Sequence, residues 1–454
     1  MKKKVLIVCP APPACQAAKH AKAVVSRFFR HTRLSLLSVA AATPDRWDVE
    51  IIDEFIQAID FTKQYDCVGI SFMTAGATRA YEIADIFRAS KVPVFAGGYH
   101  PTFRPDEALD HFDAVCIGDA ERSWPQMLED LEKGQLRQTY QSDPECSLSH
   151  IPTPRRDLLK IGDYLTRNTV QTSRGCPNSC EFCSITSFYK GIYRHRPVSE
   201  LVAEISDLSG KMIIFIDDNI VSDRSYALSL FAELKKLDKH WFSQGEIKIA
   251  RDPKLLEAAV ESGCKGLFVG LESLSNKNLR SVRKGFNRAD EYQASIETLH
   301  SSGIAIEVGL AFGFDYDTVT VFEETDKFLR DNSVEVAQLT IVTPYPGTPL
   351  FDKYIEDNRI LTTDWKYYDF NHVIFMPKNM SPLELQQGTD DLINRFYSYG
   401  SIFKRFLNST KYLGVDTAIR LALPLSLAIR KRVTTWEQRP TVENDTLYWL
   451  EKTG

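Results

Sequence analysis

Apolar residues fall in short runs separated by longer stretches of mixed character. Residues 5–9, 49–53, 67–72, 92–96 and 114–118 are nearly continuous in Val, Ile, Phe, Ala and Cys, and helical spacing fills intervals between them, as over 80–89. Runs without polar alternation predict strands buried on both faces, and intervening helices make the sheet parallel and doubly wound. A polar stretch over 136–166 follows, where Pro152 and Pro154 disfavour helix. It reads as a connector. A second series then begins, with strands expected at 168–172, 212–216, 242–250, 266–271, 304–312 and 336–342. Helices at 198–208, 224–237, 253–262, 289–302 and 319–330 separate them. This alternation predicts parallel strands with right-handed crossovers, short of a closed eight-unit barrel. Past 350 the pattern turns mostly helical, and Ser381-Pro-Leu-Glu384 reads as the capping box of a helix over 380–398. The expected fold class is therefore α/β. A doubly wound sheet occupies 1–140, a linker 141–166, a partial six-unit barrel 167–350 and a helical region 351–454.

Composition narrows the class. The 454 residues are 43% hydrophobic and 25% charged, which suits a soluble chain with large cores. A net charge of −5 gives no reason to expect nucleic acid. The apolar run at 5–9 is too short for a signal-peptide core, and no run approaches the roughly 18 residues of a membrane span. Nine cysteines without a secretion signal point to a reducing cytoplasm. Charge reverses over 401–432, where seven Lys or Arg face only Asp416 among several leucines. Such a stretch suits weak contact with a membrane surface or with an apolar substrate.

The densest chemistry lies at 174–183, Arg-Gly-Cys-Pro-Asn-Ser-Cys-Glu-Phe-Cys. Cys176, Cys180 and Cys183 have the spacing C-x3-C-x2-C. Three thiolates on one loop can hold three irons of a cubane cluster and leave the fourth open to a small molecule. Zinc sites of this density pair two Cys/His clusters, and no second pair lies nearby. Other polar residues gather where strands end, the usual position of a site in such folds. In the second series these are Asp217, Asp218, Gln244, Glu246, Glu272, Ser273, Lys284 and Gly313. Asp217 and Asp218 suit contact with a bound cofactor or substrate, or the cap of the next helix. Lys284 suits an anion or a solvated helix end. In the first sheet the strand ends carry Ser71, Thr74, Gly97, Gly98, His100, Gly118 and Glu121.

The 174–183 segment resembles the signature of the radical S-adenosylmethionine (SAM) enzymes. The sheet before it resembles the cobalamin-binding domain of their cobalamin-dependent members, which include C-methyltransferases. The resemblance implies that Cys176, Cys180 and Cys183 hold a [4Fe-4S] cluster. It implies reductive cleavage of SAM to a 5′-deoxyadenosyl radical and the use of cobalamin to methylate an unactivated carbon, with a non-methylating rearrangement or cyclisation as the alternative. Glu272 and Ser273 match a Gly-x-Glu-Ser turn that contacts SAM, Lys284 would meet the SAM carboxylate, and Gly313 lies on the strand that packs against adenine. Asp217, Asp218 and Gln244 join them as cofactor-binding candidates. Ser71, Thr74, Gly97, Gly98, His100, Gly118 and Glu121 would flank the corrin ring. The loop over 9–20 lacks the Asp-x-His-x-x-Gly motif, so the lower face of cobalt is expected to lack a protein His. A small or lipid-like substrate and a flavodoxin- or ferredoxin-type electron donor complete the expected partners. A methylthiotransferase-like tRNA modifier would need a second N-terminal cysteine cluster and an RNA-binding barrel at the C-terminus. Scattered Cys9, Cys15, Cys67 and Cys116 and the non-alternating tail offer neither.

Overall fold

The computed structural model describes residues 2–12, 32–160, 162–415 and 418–436. Most of the loop that lacks the His motif, and the polar tail over 437–454, lie outside the described residues.

Alternate side chains of β1 (Lys3–Cys9) go to different cores, Val5 and Ile7 to one face and Leu6 and Val8 to the other. Burial on both faces is why the run is continuously apolar. Around it lie β2 (Trp47–Asp53), β3 (Cys67–Ser71), β4 (Val94–Gly97), β5 (Ala114–Ile117) and β6 (Thr139–Gln141), in the order β2-β1-β3-β4-β5-β6. All are parallel. Helices α1 (Leu34–Ala42), α2 (Ala77–Ala89), α3 (Tyr99–Phe103), α4 (Pro105–Leu109) and α5 (Ala120–Glu132) connect them. The strand order reverses between β1 and β3, and sheets of this kind take ligands at the carboxyl ends beside such a switch. The sixth strand lies in the stretch read as connector. It buries only Tyr140, whose hydroxyl donates to Asp130 at 2.9 Å, so its sequence carries almost no apolar signal.

The second sheet opens with β7 (Thr169–Val170) and continues through β10 (Met212–Phe215), β11 (His240–Gln244), β12 (Cys264–Glu272), β13 (Ala305–Phe312) and β14 (Val336–Ile341). Its order is β14-β13-β12-β11-β10-β7, every neighbour parallel, and the partial barrel is open between β14 and β7. A small antiparallel ribbon, β8 (Ser173–Arg174) with β9 (Arg194–His195), brackets the cysteine loop and α6 (Ser184–Phe188). Helices α7 (Val198–Ser206), α8 (Arg224–Leu234), α9 (Pro253–Glu261), α10 (Asn276–Ser281), α11 (Tyr292–Ser301) and α12 (Val321–Asp331) follow the strands.

Two expected strands are shorter than their apolar runs. The strand before the cysteines stops at Val170, because the N–H groups of Thr172 and Ser173 donate to Asp217 instead of to a neighbouring strand. β11 stops at Gln244, and 247–251 form a 3-10 turn that buries Ile247 and Ile249. Their period-two spacing imitates a strand.

After β14 come α13 (Pro349–Glu356), α14 (Pro382–Phe396), α15 (Tyr399–Leu413) and α16 (Leu423–Trp436). The capping box is present: Ser381 Oγ accepts from Glu384 N at 3.2 Å, and Glu384 Oε2 accepts from Ser381 N at 2.7 Å. Pro424 is the second residue of α16 and follows directly on a π-helical turn over Ala418–Ala422. One apolar cluster runs from Leu6 and Val8 through Val170, Leu267 and Ile341 to Phe396. The two sheets therefore share a core, which fixes one against the other.

Candidate cofactor site

Gly175 starts the cysteine loop with φ +86°. A Cβ there would run into the carbonyl oxygen of Ile192, so only glycine lets β8 turn into the loop beside β9. The loop is then tied to segments that follow four strands. Gly175 N donates to Asp218 Oδ2 after β10 at 3.0 Å, and Asn178 Nδ2 to Glu246 after β11 at 2.6 Å. Glu181 N donates to Val282 O beyond β12 at 3.1 Å, and Glu181 O accepts from Leu350 N beyond β14 at 3.0 Å. The Phe182 ring stands edge-on to Phe314, 6.2 Å between centroids. Cys180 is buried, and Cys176 and Cys183 are partly buried. Burial raises the thiol of Cys176 and pushes that of Cys180 up to about 12, against the pull of Lys284. Among the described residues no three His, Cys, Asp or Glu side chains form a ready-made coordination set. The three cysteines sit within eight residues of one loop. An all-thiol donor set suits iron–sulfur rather than a hard cation, and bound metal removes thiol protons outright.

Beside Cys180 stands an ion pair between Glu272 Oε1 and Lys284 Nζ, 2.6 Å apart. The register of β12 against β13 slips between Gly270 and Glu272, and Glu272 takes φ +64°. A bulge of this kind re-aims a side chain, and a left-handed non-glycine residue is uncommon enough to mark a site. Gly270 makes room for the pair, since a Cβ there would lie 3.1 Å from Lys284 Nζ and closer still to Glu272. Lys284 is therefore not a solvated helix end. Burial works against its charge, but Glu272 outweighs it and raises its pKa.

The structure separates the two aspartates. Asp217 is buried and accepts from the N–H and hydroxyl of both Thr172 and Ser173, so it shapes backbone and is withdrawn as a cofactor ligand. Asp218 faces the loop, and burial lifts its pKa to about 7 despite the Gly175 N–H. Neither caps the next helix; Asp223 does, accepting from Ser225 N and Tyr226 N. Gln244 is exposed at the end of β11. Glu246, beyond the strand, turns to Asn178 and Asn219, so the pair shares no strand face. Ser273 and Gly313 belong to one internal network. Ser273 Oγ accepts from Asn278 Nδ2, whose other partner is Asp317, and Asp317 accepts from Gly313 N at 3.0 Å. A Cβ on Gly313 would meet Leu385 at 2.7 Å and Phe375 at 2.9 Å. The close approach this glycine permits is that of the chain's own side chains.

In the first sheet, His100 is fully buried and both ring nitrogens are engaged, Nε2 with Tyr81 OH at 3.0 Å and Nδ1 with Thr74 Oγ1 at 3.3 Å. The Trp365 ring stands 5.2 Å away. The corrin contacts expected of His100 and Thr74 are corrected by this packing. Glu121 is likewise committed to the chain. It forms a two-pronged pair with Arg174, which also lies 3.1 Å from Asp119, and Arg194 reaches Asp119 at 2.8 Å. Arg174 holds the Glu121 carboxyl below its usual range in spite of burial. Gly98 (φ +102°) lies against the Phe72 backbone, and Gly118 (φ +83°) against Ser142. Gly97 has room, since a Cβ added there would meet nothing closer than Cys116 Cβ at 3.8 Å. Ser71 is partly buried beside it at the end of β3.

Sequence reasoning passed over Tyr99 and Arg174. Tyr99 follows the Gly97-Gly98 turn and packs on Phe188 of α6, 4.5 Å between centroids. Burial raises its hydroxyl pKa, and the nearby Asp218 adds to the effect. Arg174, immediately before Gly-Cys, is the buried cation that joins the loop to the first sheet. An aromatic after a strand-end glycine turn and an arginine heading the loop were the available signals.

Two family models match the chain, "B12 binding domain" over residues 21–128 and "Radical SAM superfamily" over 170–329. Two relatives come from Chlorobaculum tepidum. Bacteriochlorophyllide d C-12(1)-methyltransferase is 30% identical, with 82% of this chain and 84% of that protein aligned. Bacteriochlorophyllide d C-8(2)-methyltransferase is 29% identical, over 88% and 93%. Among solved structures, the radical SAM methyltransferase TsrM from Kitasatospora setae with cobalamin and [4Fe-4S] cluster bound shares the fold. Its TM-score is 0.60 at 15% identity, covering 79% of this chain and 78% of that one.

Proposed function

The chain belongs to the cobalamin-dependent radical SAM enzymes, and from that premise we propose that it methylates an unactivated carbon of a small, lipid-like or flat-ring molecule. One placement carries the reading. The three-cysteine loop spans the carboxyl ends of the barrel strands, and Tyr99, from the carboxyl end of β4, packs on the helix that follows it. Cys176, Cys180 and Cys183 would hold the cluster, and the open end of β4 at Gly97, with Ser71, Gly118 and Tyr99, would receive the corrin. When bound, the cluster with SAM supplies a hydrogen-abstracting 5′-deoxyadenosyl radical, and cobalamin supplies the methyl group.

The chain's own residues position and shield. Lys284 presents an ammonium, already oriented by Glu272, to the SAM carboxylate. Glu272, Gln244 and Asp218 offer acceptors to the amine or ribose. Phe182 and Phe314 cover the loop on its barrel side and keep water from the radical. The substrate class follows the relatives, whose names give bacteriochlorophyllide d as what they methylate. An electron donor of the flavodoxin or ferredoxin type would reduce the cluster. A reducing cytoplasm goes with this reading, since the three thiols of the loop must stay reduced to bind iron.

The test is anaerobic. The protein is reconstituted with iron, sulfide and hydroxocobalamin, given SAM and a strong reductant, and assayed for 5′-deoxyadenosine and S-adenosylhomocysteine by mass spectrometry. Both products are expected, with deoxyadenosine lost in Cys176→Ala/Cys180→Ala/Cys183→Ala. Deoxyadenosine alone would move the protein to a rearranging or cyclising role, and neither product would contradict the reading.

A further inference from the structure

The solvent side of α15 is apolar where a surface helix is ordinarily polar. Tyr399, Phe403 and Leu407 follow one another at four-residue spacing, a single stripe down one face, and are 68%, 60% and 47% exposed. The other face buries Ile402, Arg405 and Ser409. Beyond the helix the surface continues through Val415, Ile419 and Leu427 of α16. Six of the fifteen exposed large apolar side chains among the described residues thus fall within 399–427, a concentration that marks a contact surface rather than ordinary scatter.

Its rim is cationic. Lys404, Lys411 and Lys431 are exposed, and the Arg430 guanidinium lies 3.9 Å over the Tyr399 ring, which brings α16 alongside the stripe. Between 397 and 431 the sequence has one acid, Asp416, in a chain whose net charge is −5. No helix among the described residues is long and apolar enough to cross a membrane. An apolar stripe with aromatics, edged by long cationic side chains and too short to span, complements an anionic bilayer surface.

We propose that this face of α15 and α16 seats the enzyme on an anionic lipid bilayer. Tyr399, Phe403 and Leu407 enter the boundary between headgroups and acyl chains, and Lys404, Lys411 and Lys431 meet the headgroups. This goes beyond the methylation reading and stands independently of it, because lipid binding is read without turnover. It also gives an apolar substrate a route to the enzyme without crossing water.

The experiment is co-sedimentation of the reconstituted holoenzyme with vesicles of phosphatidylcholine alone or mixed with phosphatidylglycerol. The parent protein binds the mixed vesicles, less so at high salt. Phe403→Asp/Leu407→Asp weakens partitioning about tenfold or more, and Lys404→Glu/Lys411→Glu does so by about tenfold. Deoxyadenosine formation and thermal midpoint stay at parent values in both variants. Equal binding by parent and variants, equal binding to both vesicle types, or no binding at all overturns the proposal. So does a parent dimer that Phe403→Asp/Leu407→Asp converts to monomer without any lipid binding, since a second copy would then be what covers the face.

Discussion

Arg174 and Glu121 meet across the two sheets with almost no solvent, 8% and 13% of their side chains exposed. Removing one partner leaves a buried charge without its counterpart. Arg174→Met is expected to lower the unfolding free energy by about 3–5 kcal/mol in urea titrations, and Arg174→Met/Glu121→Leu to recover much of the loss. Asp317 gives a second test. Burial raises its pKa to about 6, against the donors Gly313 N, Phe314 N and Asn278. The folded state therefore holds the proton more tightly than the unfolded chain, whose value is 3.8. This contribution to stability is full below the unfolded value and is lost as pH rises through about 6, on the order of 2–3 kcal/mol in all. Urea midpoints should fall more steeply between pH 5 and 7.5 in the parent than in Asp317→Asn, and parallel profiles would refute the assignment. At this scale the candidate site was partly legible. The spacing of Cys176, Cys180 and Cys183 and the turn at Glu272 stand out in the sequence because they are local, although Ser273 of that turn faces Asn278. His100 and Glu121 were misread because the side chains that engage them, Tyr81 and Thr74 for the one and Arg174 for the other, are distant in sequence. A polar residue after a strand looks the same whether a ligand or the chain's own side chain meets it.

The cysteine loop is an element defined by its anchors. Its entry depends on Gly175, where a Cβ has no space and φ is +86°. Gly175→Ala is expected to displace the loop and cut bound iron to a small fraction of the parent value. Cobalamin content, which depends on the other sheet, should hold. Iron and cobalamin analyses of the same reconstituted sample check this, and unchanged iron would show that the loop tolerates the side chain. Helices and central strands followed closely from periodicity because burial on defined faces dictates it. The misses have specific causes. Thr172 and Ser173 give their N–H groups to a carboxylate, Ile247 and Ile249 imitate a strand while lining a turn, and β6 buries a single residue.

For the whole molecule, one apolar cluster joins both sheets. The buried Arg174, Arg194, Asp119 and Glu121 network and the packing of Tyr99 on Phe188 add polar and aromatic links across the same boundary. The order of two parallel α/β units was legible from alternation alone, whereas their docking was not, since it rests on pairs far apart in sequence. The central claim is that one half carries cobalamin and the cysteine loop of the other carries the cluster. It is tested most directly by metal and corrin content per chain after anaerobic reconstitution, for the parent and for Cys176→Ala/Cys180→Ala/Cys183→Ala. The account predicts about four irons and one cobalamin in the parent, and a variant that loses the iron yet keeps the cobalamin. Iron retained by the variant, or no cobalamin on the parent, would contradict it.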